Sequence, residues 1–143
     1  MKTISLRFSN NFAPRCGTIE SHQAVIDKWG YVWYGKLGAK VSALVGKEIL
    51  ENTSPKILLI HSGSTDRYWA YVTDIQWNTP SVEQIPEYYR HISDKFNTWF
   101  RVIRFEEAPK DILSKCYVAS SGAVLSNASK RSMNPYFIIR YEE

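Results

Sequence analysis

Residues 56 to 77 read KILLIHSGSTDRYWAYVTDIQW, and this stretch constrains the fold more than any other. It begins with a short continuous apolar run, the pattern of a buried strand. It ends in a run rich in Tyr, Trp, Val, Thr and Ile, which suit a pleated surface. Between the two, Gly63, Ser64, Thr65 and Asp66 supply turn chemistry. The runs are expected to pair as a hairpin, which gives the rest of the chain a sheet to join.

The flanking segments supply more strands and a few helices. TISLRF (3–8) alternates and carries β-branched or aromatic residues, so it reads as a first strand that SNNFAPRCG breaks. In TIESHQAVIDKWG, Thr18 can serve as N-cap, Glu20 favours the helix dipole, and Gly30 is a stop. YVWYG (31–35) follows as a strand. AKVSALVGKEIL puts Val41, Leu44, Val45 and Ile49 on one helical face despite Gly46. NTPSVEQIPEYYRHISDKFN (78–97) has two prolines and no clean period, and reads as a long loop or short irregular helix. TWFRVIRFEEAP is a strand, KDILSKC a helical turn and NPYFIIRYEE a closing strand. Hairpin-like neighbours without βαβ alternation define an α+β, mainly β chain. The expected form is a small antiparallel β-barrel of about six strands with two or three packed helices.

A chain of 143 residues can bury a core as one domain. Its net charge of +4 lies in residues 1 to 71, which hold nine basic and five acidic side chains. Cys16 and Cys116 form no Cys-x-x-Cys pair and have no local histidine cluster, which argues against a zinc site or a disulfide framework. No stretch approaches the roughly 18 apolar residues of a membrane helix. These features describe a reduced, cytoplasmic protein without a membrane partner.

Aromatic side chains make up 14% of the chain, on the high side for a globular composition. Two tryptophans and two tyrosines fall within Trp29 to Gly35, immediately before Lys36. Burying them requires partners for each indole N–H and phenol O–H. A basic, aromatic-rich first half is what a surface gripping flat bases would need.

The order of these segments resembles the EVE and YTH branch of the PUA-like superfamily. The likeness rests on SNN near the start, a helix, GYVWYGK where YTH readers have a glycine–valine–tryptophan turn, and LLIHSG with YWAYVTDI as central hairpin. WFRVIRFEEAPKDIL matches as a strand running into a proline–aspartate helix, and YFIIRYEE as closing strand. The likeness covers nearly the whole chain, departing at the 78–97 insertion and at Tyr34, where YTH readers prefer small polar residues.

It implies one PUA-like domain over residues 1–143, free-standing or the N-terminal part of a longer protein. Such a domain holds a flipped base, methylated or hydroxymethylated cytosine or adenine, in an aromatic pocket. DNA is favoured over RNA as the partner. The implied setting is modification-dependent restriction, with a nuclease or NTPase effector and no cofactor or metal. Carried onto this chain, the resemblance makes Trp33 the first pocket wall and Trp77 or Trp99 the second, while Trp29 and Trp69 are left to the core. Tyr34 either lines the pocket or faces solvent. His61, Ser62, Ser64, Ser9, Asn10 and Asn11 are candidates for its polar rim, because serine and asparagine both donate to and accept from a base edge. Ordinary turn chemistry is the competing explanation for them. Lys36, Lys40, Arg67, Arg90 and Lys95 are candidates to meet phosphates.

Two other functions compete. An ASCH-like enzyme of the same superfamily, acting on nucleic acid or nucleosides, would use His22, His61 or His91 with Asp66 or Asp74, although no nucleophile elbow or phosphate loop is present. Its pocket should set a Lys or Glu beside a polar nucleophile, whereas a reader pocket should be closed by two tryptophans. A protein-interaction module would instead present its aromatics as a flat patch.

Overall fold

A computed structural model of the chain describes residues 1–8, 13–132, 134 and 136–142. Its strands are β1 (Lys2–Phe8), β2 (Val32–Lys36), β3 (Lys56–His61), β4 (Arg67–Gln76), β5 (Thr98–Glu107), β6 (Cys116–Val118) and β7 (Tyr136–Tyr141). The α-helices are α1 (Thr18–Trp29), α2 (Ala43–Leu50) and α3 (Leu125–Arg131). Short 3-10 helices occupy Val82–Gln84, Glu87–Lys95 and Ile112–Lys115.

The strands form one sheet in the order β2-β5-β4-β3-β1-β7-β6. The expected hairpin is present, with Lys56 opposite Tyr71 and Leu58 opposite Trp69. β5 continues the sheet beyond β4, with register shifts around Val72. The expected antiparallel barrel of six strands is corrected in two respects. β1 and β3 run parallel, Ser5 beside Leu58, because α1, β2 and α2 carry the chain across before it returns. Among the described residues the pairing runs from β2 at one edge to β6 at the other without closing. The sequence reading also missed β6 and α3, whose segments are too short or too polar to show a period.

β3 explains the apolar run that dominates the sequence. Ile57 and Leu59 enter one core with Ile4, Leu6, Val32, Tyr34, Val72, Phe100 and Val102, under α1 and α2. Leu58 and Ile60 enter a second with Trp69, Ile112, Leu125 and Ile139. A strand buried on both faces has no polar side to alternate with. Each such Ile or Leu contributes about 1.5–3 kcal/mol of transfer free energy.

The helix ends follow local chemistry. Gly30 ends α1 with φ 86°, its N–H donating to Ile26 O at 2.7 Å. Thr18 is the first helical residue instead of the cap, and Gly17 precedes it without a side-chain cap. Ser42 caps α2, its Oγ accepting from Val45 N at 3.2 Å. Leu44, expected on the buried face of α2, is 66% exposed, since Gly46 and Ile49 take the inner positions. Trp29, expected in the core, is 43% exposed at the last turn of α1, whereas Trp69 is buried as expected.

A third cluster joins Trp33 and Trp99 to Ile85, Tyr89 and Phe96. It ties β2 and β5 to the 78–97 segment, and it carries the functional consequences described next.

Candidate functional site

A cavity of about 250 Å³ opens where the C-terminal ends of β1 and β2 meet the start of α1 and the 87–95 helix. Its walls are Leu6, Phe8, Tyr34, Tyr88, Tyr89, Ile92 and Phe96, and Arg7, Thr18, Gly35, Lys36 and Leu37 also line it. Phe8 and Ala13, which flank residues 9–12, both line it. Ser9, Asn10 and Asn11 lie outside the described residues. The volume falls below the roughly 300–1,000 Å³ of sites for drug-sized ligands, which suits one small planar group.

Alternation along β2 decides which aromatics reach this cavity. Tyr34 joins the core on the cavity side, whereas Trp33 points to the opposite face and packs with Trp99, Phe96 and Tyr89. Trp33 is 7% exposed and Trp99 fully buried. Neither lines the cavity, so the expected two-tryptophan cage is replaced by phenols and phenylalanines. Trp77 also lies off the cavity lining: its indole N–H donates to Val41 O at 2.8 Å and its ring packs on Gly46 of α2. Tyr34, Tyr88 and Tyr89 line the cavity instead, and these three do not stand out as a set in the sequence. Tyr88, Tyr89 and Phe96 come from the segment that reads as an insertion, and its paired tyrosines were the available signal.

The tyrosines are tuned together. Burial, with Tyr88 nearby, pushes the Tyr34 phenol above its ordinary value, and burial does the same to Tyr89 beside Tyr34 and Tyr88. Tyr88 is raised less, mainly by burial, its hydroxyl lying beside those of Thr18 and Tyr89. All three therefore stay neutral near pH 7 and keep O–H groups able to donate or accept. Tyr89 stacks at a tilt on Phe96 with centroids 4.6 Å apart, which fixes both walls.

His22 sits behind the phenols. It is fully buried on α1, with Nδ1 2.8 Å from Thr18 O, so Nδ1 carries the proton. Nε2 has no hydrogen-bond partner among the described residues. Tyr34, Tyr89, Phe105 and Tyr88 surround the imidazole, with ring centroids 4.8 to 6.4 Å away. Burial lowers its pKa from 6.5 to about 4, so it is neutral at pH 7.

The expected rim is near but turned elsewhere. His61 stacks on Phe8 at 4.9 Å with an interplanar angle of 8°, and its Nδ1 lies 3.7 Å from Asp66 Oδ2. Ser62 N–H donates to Phe8 O at 2.8 Å. These residues brace a cavity wall from behind, and neither His61 nor Ser62 lines the cavity.

The phosphate candidates divide. Lys36 is buried, its ammonium donating to Leu37 O at 3.0 Å and to Ala39 O, with the Tyr136 ring centroid 4.4 Å away. Desolvation lowers its pKa. Arg67 donates to Ser64 O at 2.9 Å and Asp66 O at 3.1 Å, and so closes its own turn instead of reaching outward. Arg90 is exposed but its Nε donates to Val82 O at 3.0 Å. Lys40 and Lys95 are exposed and form no ion pair with the described residues.

Cys16 is exposed and Cys116 buried, both as free thiols, and burial pushes Cys116 up to about 11. No helix among the described residues is long and apolar enough to cross a membrane.

A mixed sheet covered by helices carries an aromatic cavity at one strand end. The model of the Pua-like family matches residues 4–139, and the chain belongs to that family. No curated protein and no solved structure matched it. Membership points to a nucleic-acid or nucleobase-binding module.

Proposed function

We propose that the domain reads nucleic acid by taking one flipped, modified base into the cavity of Phe8, Tyr34, Tyr88, Tyr89 and Phe96. The observation that carries this reading is a base-sized recess with aromatic walls, whose polar lining combines neutral phenols with Thr18, Arg7 and Lys36. Aromatic faces stack on any base, and hydroxyls can pair with its edge. Stacking worth roughly 1–3 kcal/mol per base offsets much of the unstacking cost. A methyl or hydroxymethyl group adds apolar contact that the unmodified base lacks. The finer assignment, DNA as partner and recognition for a modification-dependent restriction system with a nuclease or NTPase effector, rests on the resemblance to EVE and YTH readers.

The test titrates matched strands carrying different modified bases against wild type and Tyr88→Ala. Tyr88 is half-buried, so its removal leaves most of the core in place. Tight binding of one modified strand over its unmodified match, weakened by about 1–3 kcal/mol in Tyr88→Ala with little change in melting, is the expected result. Equal binding of all strands overturns the reading.

One observation favours the ASCH-like alternative: Lys36, with a lowered pKa, lines the cavity together with Thr18. Its ammonium is held by two carbonyls and a ring, which leaves it little freedom to act as a base. Incubating the same ligands with the protein and looking for altered nucleoside separates the readings, since a reader yields no product.

A further inference from the structure

A second recess, of about 560 Å³, is lined in part by residues that contact the Lys36 ammonium. Lys36 itself lines the first cavity. The groups that hold its ammonium, the Ala39 carbonyl and the Tyr136 ring, belong to residues lining the second. One buried lysine thus connects the two linings. The second recess runs along β7 and presents Lys2, Ser120, Asn134, Tyr136 and Arg140. Its charge is basic, with no acidic side chain among the lining residues. Lys2 is paired to Glu48 at 2.6 Å, whereas Arg140 is exposed and its side chain makes no ion pair or hydrogen bond with the described residues.

We infer that this groove holds the sugar–phosphate backbone of the nucleotide next to the one whose base enters the cavity. The inference rests on the reading of the cavity as a base site, and it names where the strand continues. A base in the cavity leaves its own backbone at the rim, and the neighbouring phosphodiester needs a cation and hydrogen-bond donors within one nucleotide. Arg140 supplies a guanidinium that matches a phosphate in two N–H bonds. Ser120 and Asn134 supply neutral donors, and Tyr136 offers a ring beside them. Lys36, singled out in the sequence, cannot take this role, because its amino group is already committed. These contacts see phosphate and sugar, so they add affinity without reading the base.

The experiment measures binding of short single strands, DNA and RNA of one sequence, with the modified base at the centre or absent, as a function of salt. Wild type, Arg140→Gln and Arg140→Glu are compared. Arg140 is exposed on β7, so neither change disturbs the core. Loss of one phosphate contact should make the log–log salt dependence shallower by about 0.7 in Arg140→Gln. Binding should weaken equally for modified and unmodified strands, and further in Arg140→Glu. The DNA and RNA arms show which backbone the groove prefers, and a shift in either one supports the inference. Unchanged salt dependence in both variants overturns it, and so does a change in the ratio of modified to unmodified binding, which would put Arg140 on the base. Failure of wild type to discriminate modified from unmodified strands is a separate result that sinks the cavity reading, and the slope still reports on the groove.

Discussion

His22 is the residue whose environment is most at odds with its chemistry. It is a titratable ring packed among Tyr34, Tyr88, Tyr89 and Phe105, with one nitrogen bonded to Thr18 O and the other left without a described partner. Folded His22 titrates near 4 against 6.5 for the free side chain. Between those values the unfolded chain binds the extra proton, so acid favours unfolding. Above pH 6.5 both states are neutral and the group contributes no pH dependence. Stability should therefore fall by about 3 kcal/mol from this group as pH drops from 6.5 to 4. His22→Phe keeps a ring in place and removes the titration, so denaturant melts of the variant should lack that part of the acid loss. Parallel acid profiles in the two proteins would show that His22 is not neutral in the fold. The same residue braces Tyr34, so the cavity and the acid stability share a wall.

At the scale of elements, β2 carries the contrast between expectation and structure. Its five residues are all buried, and its two faces serve different clusters. Gly35 is the hinge of that arrangement. A Cβ there would lie 2.7 Å from the Phe96 ring and 2.9 Å from that of Trp99, closer than real side chains approach. The missing side chain leaves room for Phe96, which follows the 87–95 helix and lines the cavity beside Tyr88 and Tyr89. Gly35→Ala is expected to cost about 1–3 kcal/mol through overpacking, and to weaken base binding by moving Phe96. A variant with unchanged melting and unchanged binding would mean that Phe96 can shift without consequence. Trp33 sits on the same crowded face. It behaves here as core, and its loss belongs with the larger costs of truncating a buried aromatic.

Over the whole molecule, the sheet is organised about β3, which is covered on both faces and paired on both edges, to β1 and β4. Amide exchange in its middle, at Leu58 and Leu59, should be the slowest in the protein and should track global unfolding. β6, three residues at the sheet edge, should exchange through local opening. Faster exchange at Leu58 than in β6 would contradict this hierarchy. Lys36 lines the cavity, and its ammonium contacts Ala39 and Tyr136, which line the basic groove.

Local pattern determined the hairpin of β3 and β4, the glycine stop of α1 and the strands at 98–107 and 136–141. Each follows from side chains acting on their own neighbours in the chain, through periodicity, capping and turn chemistry. Which aromatic lines the cavity was outside that reach. Trp33 and Tyr34 are adjacent and chemically alike, yet the alternation of β2 sends them to opposite faces. The faces became distinct once Glu87–Lys95 packed on one side and brought its own tyrosines to the cavity. Nor could a linear sequence tell a lysine free to meet phosphate from Lys36, whose charge is satisfied by carbonyls at 37 and 39 and by a ring 100 positions away. Tertiary structure decided those points because burial and partner choice depend on contacts between residues far apart in the chain.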